Sequence, residues 1–276
     1  MVQNQNRKKR ILGIFGILLS ILLLIGSVGA LFSVFRNKDN EEDLPYSSSV
    51  STVFAENSWK TIAKVFKAGV ADRYWNLGDT KEIELSDGYT YEVQIVDMTP
   101  NRYALSDGTG YSNGVLQFVQ CLSTTYQMNS SATNAGGYAE CSGRVELNTT
   151  IYNQLPNDLK AVIPEVSVAS GIGGGTTSGI SESNNKLFIP SEYEIFGERT
   201  LSIGDSEGSP QFGYYSLPNS TRIKTKVGSD SSAHWWLRSP YSGYSAHFCA
   251  VRGENGNVSG LQADYTSISV CPCFAF

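Results

Sequence analysis

The chain has 276 residues, of which 41% are hydrophobic and 17% are charged, a composition typical of a globular protein with few surface charges. Residues 39–276 hold all 26 acidic residues and 15 of the 21 basic ones, which gives this part a net charge of −11. A field of that sign argues against a nucleic-acid partner and against docking on anionic lipid.

The N-terminal part has the pattern of a membrane anchor. A basic tail, residues 1–10, precedes residues 11–35, a run of 25 positions without a charge. As a helix rising about 1.5 Å per residue, this run exceeds the roughly 30 Å hydrocarbon core of a bilayer. The basic residues lie on its N-terminal side, which predicts a single-pass cell-membrane protein with a cytoplasmic tail and an extracellular remainder.

A cleaved signal peptide is the alternative, since Val28-Gly29-Ala30 resembles a cleavage site. The apolar run is longer than the roughly 7–15 residues of most signal peptides, which favours the anchor. Residues 36–56 are charged and then serine-rich and predict a stalk, so we expect the folded domain to be residues 57–276.

The first half of the domain predicts helices and three strands. Four apolar residues recur at helical spacing after Ser58, a suitable N-cap: Trp59, Ile62, Val65 and Phe66. Two alternating runs within residues 81–98 flank Asp87-Gly88 and predict a β-hairpin, and residues 113–122 predict a third strand. Helical spacing returns at Leu147, Ile151 and Leu155, and Pro156 can open a further helical turn.

The second half predicts short strands and loops. Residues 170–179, SGIGGGTTSG, resemble a phosphate-binding loop but lack its terminal Lys-Ser/Thr, so we expect a mobile loop without a nucleotide. Residues 184–197 predict a short strand and a turn, and short strands with Gly-Asn turns follow Pro240. Helices first and many short strands later predict an α+β domain.

Five cysteines lie in the predicted domain: Cys121, Cys141, Cys249, Cys271 and Cys273. An odd number outside the cell leaves at least one thiol free or paired between chains. Cys271 and Cys273 are too close in sequence for an easy mutual disulfide along a strand. A bridge from one of them to Cys249 and the simple burial of small apolar side chains both remain open.

Four segments resemble one bacterial family: residues 58–85, 147–166, 185–197 and the WWLRSP of residues 235–240. The family is a domain of unknown function common in membrane-anchored and phage-related proteins, and the resemblance spans residues 58–276. It implies a C-type-lectin-like fold, related to that of the formylglycine-generating enzymes. Some members are variable proteins whose C-terminal codons are rewritten by diversity-generating retroelements.

The resemblance implies a supporting role for WWLRSP. Trp235 and Trp236 would pack on opposite sides of a central strand, one into the core and one under the following loops. Arg238 would pair with a carboxylate or with carbonyls, and Pro240 would end the strand.

The loops after WWLRSP have the composition of a binding surface. Residues 241–269 are rich in Tyr, Ser, Asn, Asp and Gly, as antibody loops are. Retroelement mutagenesis of the adenines in AAC or AAT codons cannot produce Lys, Gln, Glu, Met or Trp, and residues 241–271 contain two of these against 42 in the whole chain. We expect ten residues to bind an extracellular protein or glycan: Tyr241, Tyr244, Ser245, His247, Arg252, Glu254, Asn255, Asn257, Asp264 and Tyr265.

The chain departs from the family at its closing strand. Relatives commonly have Gly-Val-Arg-Pro-Ala-Phe, whereas residues 269–274 here are SVCPCF, without the arginine. Cys271 and Cys273 would be soft ligands for Cu(I) in an enzyme of the formylglycine-generating type, which is one alternative function. A non-catalytic structural envelope protein is another.

Other chemistry has a weaker basis in the sequence. His247 and Cys249 would share a strand face as a nucleophile pair, but neither His234 nor His247 has a metal-ligand spacing. Acidic and amide residues of the loops would supply calcium ligands, although a Glu-Pro-Asn sugar signature is absent: Glu254, Asn255, Asn257 and Asp264. We therefore expect recognition without turnover, with no cofactor, no metal and no catalytic residue.

Overall fold

The computed structural model describes residues 50–203, 207 and 210–276. The predicted tail, the anchor of residues 11–35 and most of the predicted stalk lie outside this part. Within it, no helix has the length and apolar character needed to cross a bilayer. The described residues form a mixed fold of short helices and mostly antiparallel sheets.

The folded part begins before the predicted domain boundary. Val50 and Phe54 are buried, and the Phe54 ring packs edge-on against Trp75 with 5.1 Å between ring centroids. The Trp75 indole N–H donates to the Ser51 carbonyl at 3.0 Å. Residues 50–56 therefore belong to the domain, and the stalk predicted to reach residue 56 ends earlier because these side chains enter the core.

The described residues contain six short α-helices: α1, Trp59–Lys67; α2, Gly137–Glu140; α3, Ser142–Glu146; α4, Tyr152–Gln154; α5, Asn157–Lys160; and α6, Glu192–Phe196. A π-helical turn, Leu147–Ile151, joins α3 to α4. Short 3-10 turns also occur: Phe54–Glu56, Ala71–Arg73 and Gly213–Ser216.

Helix α1 confirms the prediction for this segment. The Ser58 hydroxyl caps it by accepting from the Thr61 amide at 3.2 Å, and the four predicted apolar residues are all buried. Helix α6 corrects the turn predicted within residues 184–197. There the Ser191 hydroxyl and the Glu194 carboxylate form a reciprocal capping box that starts a helix.

Strands in the described residues are β1, Thr80–Glu84; β2, Thr90–Asp97; β3, Val115–Phe118; β4, Val166–Gly171; β5, Ile180–Asn185; β6, Lys224–Thr225; β7, Ser232–Ala233; β8, Trp235–Pro240; β9, His247–Val251; β10, Val258–Gln262; and β11, Cys273–Ala275. They form a four-stranded sheet in the order β1-β2-β3-β11, a three-stranded sheet in the order β10-β9-β8, and the pairs β4–β5 and β6–β7. The hairpin predicted around Asp87-Gly88 is confirmed as β1–β2, and the third predicted strand as β3.

The glycine-rich residues 170–179 were expected to be a simple loop. Residues 172–179 do form a loop, which leads into β5, whereas residues 170 and 171 belong to the end of β4. The sequence did not indicate β5 because its residues, ISESNN, are polar, and most of their side chains face solvent.

Aromatic packing joins α1 to the four-stranded sheet. Trp59 lies 6.1 Å from Phe274, and Phe66 lies 5.9 Å from Phe276, between ring centroids. Gly114, just before β3, lets the Phe66 ring approach, because a Cβ there would lie 2.1 Å from that ring. This packing places the core between α1 and the β3–β11 pair.

Candidate functional site

The three-stranded sheet divides the ten predicted binding residues between its two ends. In the register of β9 and β10, His247 lies opposite Gln262 and Val251 lies opposite Val258. The turn of residues 252–257 and the turn of residues 241–246 are therefore separated by the length of β9, about 17 Å.

We call these the tyrosine end and the charged end. The tyrosine end contains six of the predicted residues: Tyr241, Tyr244, Ser245, His247, Asp264 and Tyr265. The charged end contains the other four: Arg252, Glu254, Asn255 and Asn257. The sequence predicted that these ten residues bind one partner, and the strand register places them at opposite ends of the sheet.

Three aromatic rings cluster at the tyrosine end. The Tyr241 and Tyr244 centroids are 4.5 Å apart, and His247 lies 5.8 Å from Tyr244 and 6.3 Å from Tyr241, edge-on to both. Tyr241 lies flat against β10, where a Cβ at Gly260 would come within 2.2 Å of its ring. The Tyr244 ring packs against Tyr241 at an interplanar angle of 42° and remains 54% exposed, so it presents a supported aromatic face to solvent.

Asn134, which the sequence analysis missed, holds the backbone of the 241–246 turn. Its side-chain amide donates to the carbonyls of Tyr244 at 2.7 Å and His247 at 2.6 Å, and its own backbone amide donates to the Ser245 carbonyl at 2.7 Å. Asn134 is fully buried. The NAGG sequence that begins at Asn134 indicates a turn, but the hydrogen bonds from Asn134 to the 241–246 turn are visible only in the folded structure.

Asn134 also fixes the glycine turn between β4 and β5. Its side-chain oxygen accepts from the Gly174 amide at 2.8 Å. A Cβ at Gly173 would lie 1.8 Å from the Asn134 carbonyl oxygen, and one at Gly175 would contact Ser245 at 3.6 Å. The glycine turn therefore lies beside the 241–246 turn and adds Ile172, which is 38% exposed, to the same surface.

Two polar atoms at the tyrosine end have no hydrogen-bond partner within the described part of the chain. They are His247 Nδ1 and Asp264 Oδ1, and both are buried. Buried polar atoms without partners are uncommon in folded proteins. They give this end unused hydrogen-bonding capacity beside an exposed ring.

The charged end has the features of a solvated turn. Arg252 and Glu254 approach to 3.5 Å, and both side chains are about half exposed, a geometry worth little to stability. His234 Nδ1 accepts from the Gly253 amide at 3.1 Å and lies 3.6 Å from the Glu254 carboxylate. Asn255 accepts from the Asn257 amide within the turn.

The calcium ligand set considered from the sequence is not brought together. Glu254, Asn255 and Asn257 lie at the charged end, whereas Asp264 lies at the tyrosine end. Among the described residues, no three His, Cys, Asp or Glu side chains are grouped so that they could hold a metal ion.

The two tryptophans lie below these surfaces. Both are fully buried, and their indole N–H groups donate to backbone carbonyls, Trp235 to Arg222 at 3.0 Å and Trp236 to Tyr126 at 2.8 Å. The expectation that one of them packs into the core and the other under the loops is wrong, because both lie in the hydrophobic core. Neither ring offers surface to a ligand.

Arg238, in the same strand, ties several segments together. Its guanidinium meets the Glu194 carboxylate at 2.5 and 2.7 Å and donates to the carbonyls of Ala169 at 2.8 Å, Ile189 at 3.1 Å, and Glu207. Burial alone would raise the pKa of Glu194, but the Arg238 charge and its hydrogen bonds hold that pKa below its usual value. The ion pair thus links β4, the start of α6 and β8.

The comparisons with known proteins concern the part of the chain that carries this geometry. Residues 112–275 match the family model described as a domain of unknown function, DUF6273. The chain belongs to this family. No curated protein matches the chain, and no solved structure matches it.

The DUF6273 match contains Asn134, the Arg238–Glu194 pair and both ends of the three-stranded sheet. It begins at Ser112, so the resemblance stated for residues 58–85 lies outside the matched range. The family is thereby shown for the part of the domain that positions the candidate surface.

The five cysteines of the DUF6273 domain are all buried. Burial raises the pKa of the Cys249 thiol well above its usual value, which suppresses the thiolate that a nucleophile paired with His247 would need. The Cys271 sulfur faces Cys121 at 2.8 Å, and the Cys273 backbone pairs with Phe188 and Gln117. The bridge to Cys249 that the sequence left open has no sulfur–sulfur contact to support it among the described residues.

Proposed function

We propose that the chain is a membrane-anchored, outward-facing binding protein whose DUF6273 domain recognises an extracellular protein or glycan. Binding occurs at the tyrosine end, without turnover. The observation that carries the proposal is the ring cluster of Tyr241, Tyr244 and His247, which supports an exposed Tyr244 on a turn held from below by Asn134.

The chemistry of this end suits recognition. A tyrosine offers a large amphipathic contact area at a low entropic cost of ordering. Here that cost is reduced further, because the Tyr244 ring already packs against Tyr241 and its backbone is hydrogen-bonded to Asn134.

The proposal includes a C-type-lectin-like fold. Loops gathered at one end of a small antiparallel sheet, above a buried tryptophan pair, support it. The anchor of residues 11–35 and the net charge of −11 over residues 39–276 support an extracellular domain that does not dock on anionic lipid.

The experiment is a binding screen with the full chain in detergent, immobilised and exposed to a panel of cell-surface polysaccharides and purified surface proteins. A panel member that binds is then measured against the Tyr244→Ala, Tyr265→Ala double variant. Tyr111→Ala is the matched control, because Tyr111 is 57% exposed but lies near Val166, at the opposite end of β4 from the glycine turn. Loss of binding in the double variant alone supports the proposal, and equal affinity in all three proteins refutes it.

Diversification is tested in the DNA. A near-repeat of the codons for residues 240–276, differing at template adenines and lying beside a reverse transcriptase gene, would make this chain a diversified receptor. Without such a repeat, the chain would be a binding protein of fixed sequence.

A further inference from the structure

We propose that Cys121 and Cys271 form a disulfide bond that links the chain after β3 to the segment before β11. The two sulfurs lie 2.8 Å apart, only about 0.8 Å more than the length of an S–S bond. Both residues are fully buried.

Strand register supports this pairing independently of the sulfur distance. The flanking pairs Gln117–Cys273 and Tyr126–Ile268 are antiparallel, and between them the Leu122 amide donates to the Val270 carbonyl at 2.9 Å, which places Cys121 opposite Cys271. The Cys121 backbone hydrogen bonds point the other way, to the Thr225 carbonyl at 2.8 Å and the Val227 amide at 3.0 Å. Cys121 and Cys271 are therefore a non-hydrogen-bonded cross-strand pair.

Such pairs have the backbone spacing that a disulfide requires. Their Cα atoms lie about 4.5 Å apart with side chains close together, inside the roughly 4.4–6.8 Å range of disulfides. Oxidation would need little movement of the backbone.

The other three cysteines do not compete for this bond in the folded chain. Cys141 caps α3 by accepting from the Arg144 amide at 3.4 Å. Among the five cysteines, all of which lie in the described residues, the Cys121–Cys271 pair has the one sulfur–sulfur contact. The prediction is one disulfide and three thiols per chain.

The oxidant is a small-molecule disulfide such as glutathione disulfide. One cysteine thiolate attacks a sulfur of that disulfide and releases a thiol, and the second cysteine thiolate then attacks the mixed disulfide and releases another. The cysteines lose two protons and two electrons, and the oxidant is reduced to two thiols. Burial raises the pKa of the Cys121 thiol well above its usual value, so the bond forms during folding, before the site closes.

In the cell, the bond rests on the proposed extracellular location, because such bonds persist in oxidising compartments. Its two cysteines are 150 positions apart, so it constrains a long loop of the unfolded chain. It also secures the segment of residues 268–271, whose Ser269 carbonyl accepts from the Trp236 amide at 3.0 Å.

The test counts thiols on the full chain, expressed with its own N-terminal segment and taken from the membrane fraction. Maleimide labelling under denaturing conditions should give three labels before reduction and five after it, since the chain has five cysteines. Peptide mapping should recover Cys121 joined to Cys271. Any other cysteine pair in the map overturns the proposal.

A second experiment tests the cysteine pairing separately from the cellular location. The same chain is unfolded, reduced and refolded with glutathione disulfide. Five labels in both arms overturn the pairing. Five labels in the membrane fraction but three after refolding support the pairing and overturn the extracellular location.

Stability supplies an independent readout. Reductant should lower the melting temperature of the oxidised chain by roughly 5–15 °C. The Cys121→Ser, Cys271→Ser variant should lose this response, and the control Cys249→Ala should keep it. A Cys249→Ala variant without the response would overturn the assignment.

Discussion

Arg238 and Glu194 form a two-pronged ion pair inside the protein, and neither side chain is exposed. Glu194 also closes the capping box of α6, because its Oε2 accepts from the Ser191 amide at 2.9 Å. The arginine of WWLRSP is therefore bound to a carboxylate whose position is set by a helix start. Through this ion pair the WWLRSP motif joins β8 to the start of α6, and it is not part of a ligand site.

The first prediction follows from removing one partner of that pair. Arg238→Met leaves the Glu194 charge buried and should lower the free energy of unfolding by about 3–5 kcal/mol. The measurement is urea denaturation followed by tryptophan fluorescence. Arg252→Met, at the charged end, should cost less than about 1 kcal/mol. Equal losses of unfolding free energy at the two positions would show that the buried ion pair stabilises the fold no more than the exposed one does.

The second prediction concerns the glycine turn between β4 and β5. Gly173 and Gly174 have nearly the same φ, +64° and +67°, but a Cβ at Gly174 meets nothing within 4 Å. Gly174→Ala should therefore cost about 1–2 kcal/mol from backbone strain alone. Gly173→Ala should cost clearly more, because its Cβ would strike the Asn134 carbonyl.

Hydrogen exchange would show where the Gly173 effect acts. We expect Gly173→Ala to speed amide exchange in residues 241–247 as well as in the turn itself, since Asn134 holds both. A faster exchange confined to residues 172–179 would contradict the bracing role of Asn134.

The third prediction is a pH dependence due to Glu207. Burial raises the pKa of this carboxyl from 4.5 to about 7. The folded state therefore holds the proton more tightly than the unfolded state. The contribution of this group to the free energy of unfolding is fully present below about pH 4.5. It is lost as the pH rises through 7, and the loss is about 3 kcal/mol at most.

The Glu207→Gln variant tests this dependence, because an amide does not ionise. The unfolding free energy of the variant should be measured from pH 4.5 to 7.5. It should lack the fall with rising pH that Glu207 causes in the parent. Glu84→Gln, an exposed carboxyl, should leave the decline unchanged. Parallel curves for the parent and Glu207→Gln would contradict the prediction.

The fourth prediction compares the two ends of the three-stranded sheet. With any ligand found in the screen, Tyr244→Ala should weaken binding by about 30-fold or more, as expected for a central aromatic contact. Arg252→Ala should change affinity by less than about 3-fold, since it lies the length of β9 away. A larger effect at Arg252 would move the site to the charged end.

Local patterns predicted much of the fold. The spacing from Trp59 to Phe66 indicated α1, and Asp87-Gly88 indicated the β1–β2 hairpin, because helix and hairpin signals lie within a few residues. Strand β5 escaped prediction because its polar residues carry no apolar alternation. Helix α6 was not predicted because the signal for its start, the capping box, spans only Ser191 to Glu194.

The candidate surface was less predictable. The tyrosines were identified from composition, but their separation from Arg252 and Asn255 depends on the β9–β10 register. The contacts of Asn134 with Tyr244 span 110 positions, and those of Cys121 with Cys271 span 150. No local signal encodes such distances.

Asn134 recognises the 241–246 turn only through main-chain oxygens, those of Tyr244, Ser245 and His247. These hydrogen bonds do not depend on which side chain stands at positions 244 or 245. The backbone path of the turn therefore does not depend on the identity of its outward-facing side chains. Substitutions there can change what the surface displays while the frame beneath it keeps its geometry.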